Sequence, residues 1–173
     1  MSEQPQPQPQ PQQPQGQQQP VFSIEKIYLK DLSLEIPGAP QVFSERESPQ
    51  IDVNIHNSAK ALDAGVYEVV LTATVTAKHK DKTAFLVEVS QAGIFQIRGL
   101  SDRDLDPVLA IACPNMLFPY VREAVSSVVS RAGFPTFLLN HLSFEALYQQ
   151  HLQQRQKQQQ QSGAAPAAPA QTS

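Results

Sequence analysis

The 173-residue chain has a single cysteine, Cys113. No intramolecular disulfide can form, and one thiol fits a reducing compartment. Basic blocks are also missing, and the net charge is −3, so no nucleic-acid partner is indicated. No apolar run approaches the ~18 residues that span a bilayer, so no membrane insertion is expected. The N-terminus has neither a basic n-region nor an apolar h-region, and no signal peptide is expected. The four histidines, His56, His79, His141 and His151, include no pair at metal-ligand spacing, so no zinc site is expected. Gly38, Gly65, Gly93, Gly99 and Gly133 are isolated turn residues rather than a phosphate-binding loop. No ATPase activity and no cofactor are implied. Together these absences leave a cytoplasmic protein of one domain.

Both ends are of low complexity. Residues 4–20 are Gln and Pro with one Gly, and residues 153–173 are Gln-rich, then Ala- and Pro-rich. Such segments cannot bury enough apolar surface to offset their conformational entropy. Residues 1–20 and 153–173 are therefore expected to be disordered, the last helix continuing only near Gln153. Residues 21–152 form the domain.

Within that domain strands come first. From Phe22 to Ile36 apolar residues fall at 22 and 24, then 27 and 29, then 32, 34 and 36. Each group has period two, but the phase slips twice, which predicts β-bulges in one long strand. Ile36-Pro37-Gly38-Ala39-Pro40 breaks the pattern, and a crossing loop carrying Val42 and Phe43 follows. Gln50 to His56 alternates as a half-buried strand. Val66 to Lys78 and Thr83 to Ile97 are further strands, joined by short turns that imply antiparallel neighbours. Gly93 marks a bulge or a close approach.

Helices follow. Ser101 caps one that runs to about Cys113. Pro114 and Pro119 each lack an N–H and clash with the preceding turn, so a break is expected between them. The helix resumes to Ala132, with Gly133 as its C′ residue. Ser143 caps a last helix, with Phe144, Leu147, Tyr148 and Leu152 on one face. Strands first and helices second predict an α+β fold, a four-stranded antiparallel sheet with helices on one face.

Three segments are distinctive in order and spacing: Ala92-Gly93-Ile94-Phe95-Gln96-Ile97, Cys113-Pro-Asn-Met-Leu-Phe-Pro-Tyr-Val-Arg-Glu123, and Ser130-Arg131-Ala132-Gly133-Phe134-Pro135. They resemble the protein-export chaperone family SecB. The likeness reaches upstream to Ile27–Ser33 and Val66–Leu71, and downstream to Ser143–Tyr148. It implies a homotetramer, a dimer of dimers, that holds unfolded secretory preproteins in hydrophobic grooves without ATP and hands them to the motor SecA. The chain departs from the family in its Gln/Pro extension, in a tail that is not acidic, and in His141-Leu142 where a Pro-Val pair is common.

Val42, Phe43, Phe118, Tyr120, Phe134, Phe137, Leu138 and Leu139 are apolar residues in irregular segments, and half of them are expected simply to close the core. Val42, Phe43, Phe118, Tyr120, Phe137 and Leu139 are the groove candidates. Asp31 and Glu35 share strand parity, as do Leu86 and Glu88. The resemblance makes these four the docking surface for SecA, and it places Val87, Val89 and Gln91 at positions that affect subunit assembly. Two other readings stay open. One is a SecB-like chaperone dedicated to a single antitoxin. The other is a small-molecule-binding α+β enzyme that uses Cys113, activated by His79 or His141. Apolar neighbours on both sides of Cys113 would raise its pKa and argue against the enzyme.

Overall fold

A computed structural model describes residues 20–162, with side chains to residue 158. Most of the Gln/Pro-rich extension and residues 163–173, both expected to be disordered, lie outside the described residues.

Four strands form one antiparallel sheet in the order β1-β4-β3-β2. They are β1 (Val21–Glu35), β2 (Gln50–Asp63), β3 (Val66–His79) and β4 (Lys82–Arg98). The phase slips read from the sequence are real. The β1–β4 register shifts between Ile24 and Lys26, and again between Leu29 and Asp31. Glu25 and Lys30 are the extra residues. The strand β2 runs seven residues beyond its alternating stretch, because Asn57 to Lys60 keep pairing with Leu71 to Glu68 of β3. Backbone partners, not side-chain pattern, extend it. The β2–β3 turn passes through Gly65 at φ +70°.

The face formed by Val69, Leu71, Ala73, Val75 and Ala77 of β3 with Phe85, Val87, Val89 and Phe95 of β4 is buried. Helix α2 (Cys113–Arg131) lies across it and contributes Leu117, Val121, Val125 and Val129. Gly93 is a close-approach position. A Cβ there would stand 2.5 Å from Phe95 Cε2 and 3.1 Å from Leu117 Cδ2.

The expected break between the prolines is absent. Helix α1 (Asp102–Pro107), with Ser101 Oγ accepting from Asp104 N at 3.3 Å, leads into a π-helical stretch, Val108–Ala112, and then directly into α2. Pro114 sits in the first turn of α2, just past the π stretch, and Pro119 lies inside the helix. Pro119 and Asn115, the residue four positions earlier, are both exposed. The carbonyl that loses its donor can therefore turn to water, which removes much of the penalty of an internal proline.

The C-terminus of α2 matches expectation. Gly133 has φ +87°, Gly133 N donates to Ser130 O at 3.1 Å, and Phe134 N donates to Val129 O at 3.3 Å. This is a Schellman closure with Phe134 as its apolar C″ residue. Helix α3 (Phe144–Ser162) starts with Ala146 N donating to Ser143 Oγ at 3.2 Å. It continues well past Gln153, so part of the expected tail is helical. Among the described residues no helix is long and apolar enough to cross a membrane.

Candidate functional site

The connection from β1 to β2 must cross the sheet, because these strands are its two edges. It does so at the β3–β4 turn end. A 3-10 turn over Gln41–Ser44, with Val42 N donating to Gly38 O at 2.9 Å and Phe43 N to Pro40 O at 3.2 Å, fixes its shape. Val42 turns inward, and Phe43 remains 50% exposed. The Schellman turn aims Phe134 back at this loop. Its ring lies 5.2 Å from that of Phe43 and 4.8 Å from that of Phe85.

Around this aromatic ladder opens a cavity of about 420 Å³, lined by Val42, Phe43, Ile51, Phe85, Phe134 and Phe137, with Glu45, Arg46, Glu47 and His79 at its polar side. His79 Nδ1 is buried there with no hydrogen-bond partner among the described residues. A second cavity of about 610 Å³ lies between β2, the π stretch and α3. Ile55, Leu109, Phe144 and Leu147 give it an apolar floor, and His56, His151 and Arg155 a polar wall. There Asn57 Nδ2 donates to Leu109 O at 3.3 Å, Asn57 Oδ1 is buried without a partner, and Tyr148 OH donates to Asp106 at 2.7 Å. Both cavities suit apolar side chains of a ligand, each Leu- or Phe-sized group contributing ~1.5–3 kcal/mol on full burial.

The sequence-derived groove residues divide. Val42, Phe43 and Phe137 line the first cavity. Phe118 and Leu139 do not: both are buried in the core, Phe118 edge-on to Phe144 at 5.9 Å. Tyr120 is exposed on α2 and lines neither cavity. Phe85 was missed, and Phe134, an apolar residue of an irregular segment in the sequence, lines the cavity although it was not among the six groove candidates. The signal for Phe134 was available, since a C″ residue after a C′ glycine packs back on its own helix end.

The other sheet face is polar. Asp31 pairs with Ser90, Ser33 with Glu88, and Glu35 with Leu86, so Asp31, Glu35, Leu86 and Glu88 do share one face. Thr72, Thr74 and Thr76 of β3 join them. Thr74 Oγ1 donates to Glu88 at 2.9 Å, and Thr72 and Ser90 hydroxyls meet at 2.8 Å. Val87 and Val89 lie on the opposite face with no exposed surface, and Gln91 is nearly as buried. Helix α2 of the same chain helps cover that face of β4. Val87 and Val89 belong to the buried core of this chain, and Gln91, beside Leu29 and Leu71 in the sheet, keeps 6% of its surface exposed.

Cys113 is buried, and burial pushes its thiol up to about 12. A thiol so rarely ionised at neutral pH is a poor nucleophile, which counts against the enzyme reading. Among the described residues no group of three His, Cys, Asp or Glu could hold a metal ion.

Comparisons with known proteins agree with this architecture. The family model described as preprotein translocase subunit SecB matches residues 15–155. A protein-export protein SecB of Nitrosospira multiformis is 59% identical over 138 residues, covering 80% of this chain and 87% of the relative. One from Chromobacterium violaceum is 61% identical over 137 residues, covering 79% and 91%. Among solved structures, a Mycobacterium tuberculosis SecB-like chaperone in complex with a peptide from the HigA1 antitoxin has a similar fold. Its TM-score is 0.59 at 19% identity, covering 70% of this chain and 91% of that one. With the family model spanning most of the chain and relatives near 60% identity, the chain belongs to the SecB family of protein-export chaperones.

Proposed function

We propose that the chain is an ATP-independent cytoplasmic holdase that binds unfolded secretory preproteins and delivers them to SecA. The aromatic cavity between the crossing loop and the end of α2 carries the reading. A half-exposed phenylalanine backed by two more is costly to leave in water, and a client side chain removes that cost. Val42, Phe43 and Phe137 are the client contacts of the original set, and Phe134 joins them. The 610 Å³ cavity extends the contact along β2. Several weak pockets on one assembly give avidity along an extended chain.

The assembly is a homotetramer, a dimer of dimers. The exposed apolar margin of β1 supports it. Phe22, Ile24, Leu29 and Leu32 all lie on the core side of an edge strand, beyond the cover of α2, and are 38–50% exposed. A second copy would bury them. Hand-over to SecA uses the polar face at Asp31, Glu35, Leu86 and Glu88. Carboxylates with no cation within ion-pair distance among the described residues suit a basic partner.

The test is binding of an unfolded precursor by Phe43→Ser/Phe137→Ser. We expect affinity to fall at least about tenfold, as loss of two such contacts implies, with tetramer mass unchanged. Wild-type affinity in a folded tetramer would remove the aromatic cavity from the client site. Binding confined to one partner among many unfolded chains would favour a dedicated antitoxin chaperone.

A further inference from the structure

The bulge at Lys30 places two opposite charges side by side on the same sheet face. Asp31 faces outward, paired with Ser90. Lys30, the extra residue of the bulge, also reaches the outer face. Lys30 and Asp31 form no ion pair within 4.0 Å; Lys30 Nζ donates instead to both carboxylate oxygens of Glu68, at 2.8 and 2.7 Å. Glu68 sits four residues along β3 from Thr72, in the row of Ile94 and Lys26, on the side away from Glu35. Tyr28 OH donates to the same carboxylate. The Lys30 ammonium first, then the Tyr28 hydroxyl, hold the Glu68 carboxyl below its ordinary range. Among the described residues neither ion pair within 4.0 Å involves Asp31, Glu35 or Glu88.

We propose that Glu68 is a positioning residue for partner docking: it holds Lys30 away from Asp31 and so keeps the acidic patch bare for a basic partner. The inference rests on the docking reading above. It has a counterintuitive consequence. Removing a negative charge about 13 Å along the strand from the patch weakens the patch, by releasing a lysine onto it rather than by a contact of its own.

SecA binding at low salt, measured beside tetramer mass and client affinity of the same preparations, tests it. Glu68→Gln should weaken SecA binding about two- to fivefold, the range of an exposed ion pair, and the loss should shrink as salt is added. Glu68→Asp, which keeps the charge but withdraws the carboxylate by one methylene, should weaken it in the same direction. Lys30→Gln/Glu68→Gln leaves no lysine to release and should bind as tightly as wild type. Glu123→Gln, the same charge change on exposed α2, should have no effect. Wild-type binding by Glu68→Gln and Glu68→Asp overturns the inference. So does a double variant as weak as Glu68→Gln, which would make Glu68 a direct contact. Asp31→Lys/Glu35→Lys separates the two levels. If it binds SecA normally, the docking face itself is wrong. If it binds weakly while both Glu68 variants bind normally, only the role of Glu68 falls.

Discussion

The two faces of the sheet are built from the same strands, yet different forces set them. On the inner face Val69, Leu71, Ala73, Val75, Val87 and Val89 have no exposed surface and meet α2. On the outer face the same strands present Thr72, Thr74, Glu88 and Glu68, all partly accessible: Thr72 bonds Ser90, Thr74 bonds Glu88, and Glu68 pairs with Lys30 of β1. The inner face is specified by volume and apolar area. The outer face is specified by where charges are allowed to rest. Substitutions should therefore be felt as stability on one side and as recognition on the other.

The sharpest way to break that contrast is a matched truncation. Leu71→Ala should cost ~2–5 kcal/mol, the range for a leucine removed from a packed core. Thr72→Ala, one residue along on the other face, should cost no more than ~1.5 kcal/mol, the net value of one hydrogen bond. Denaturant unfolding of both proteins gives the comparison, and equal costs would end it. Overfilling is the next effect in size. Gly93→Ala puts a methyl group against the buried Phe95 ring and Leu117, and should destabilise by ~1–3 kcal/mol. Retained stability would mean that α2 can shift on the sheet.

The smallest effect is on the outer face and depends on pH. The folded-state pKa of Glu68 is lowered, so its contribution is complete above the ordinary glutamate value of ~4.3. That contribution is lost as pH falls through the folded value. Lys30 is 45% exposed, so the term should stay below ~1 kcal/mol. The melting curves of wild type and Glu68→Gln should differ at pH ~7 and converge as pH falls through the lowered folded-state value. A gap that persists in acid would assign the difference to shape rather than charge.

Much of this contrast was legible in the sequence. Alternation gave the inner face of β3 directly, and the phase slips located both bulges of β1, because pleating forces period two. The parity of Asp31, Glu35, Leu86 and Glu88 was legible for the same reason. Phe118 and Leu139 were misplaced because apolar residues near a proline or between helices have no period to show which way they point. The helix through Pro114 and Pro119 was hidden by two things a residue string does not display: the π stretch at Val108–Ala112 and the exposure of Asn115 and Pro119. Function came through the resemblance carried by the Cys113–Glu123 run, not through periodicity. The capture of Lys30 by Glu68, 38 residues apart in sequence, needed the folded chain.

The bulges of β1 bear on a hazard peculiar to such a protein. A chaperone for unfolded chains works among segments ready to add themselves to any open sheet edge. Its own sheet has two edges. On β1, fifteen residues run beside the thirteen of β4 that span Leu86–Arg98. On β2 the register is unbroken from Gln50 to Ala61, with Leu62 unpaired near the end of the strand and Pro49 just before its start. On β1 the surplus residues Glu25 and Lys30 break the edge into short paired runs, Val21–Ile24, Lys26–Leu29 and Asp31–Glu35, so it twists away from a straight ladder and offers an incoming strand no long uninterrupted register. Irregularity at the β1 margin leaves that edge a poor template on which extended polypeptides could polymerise.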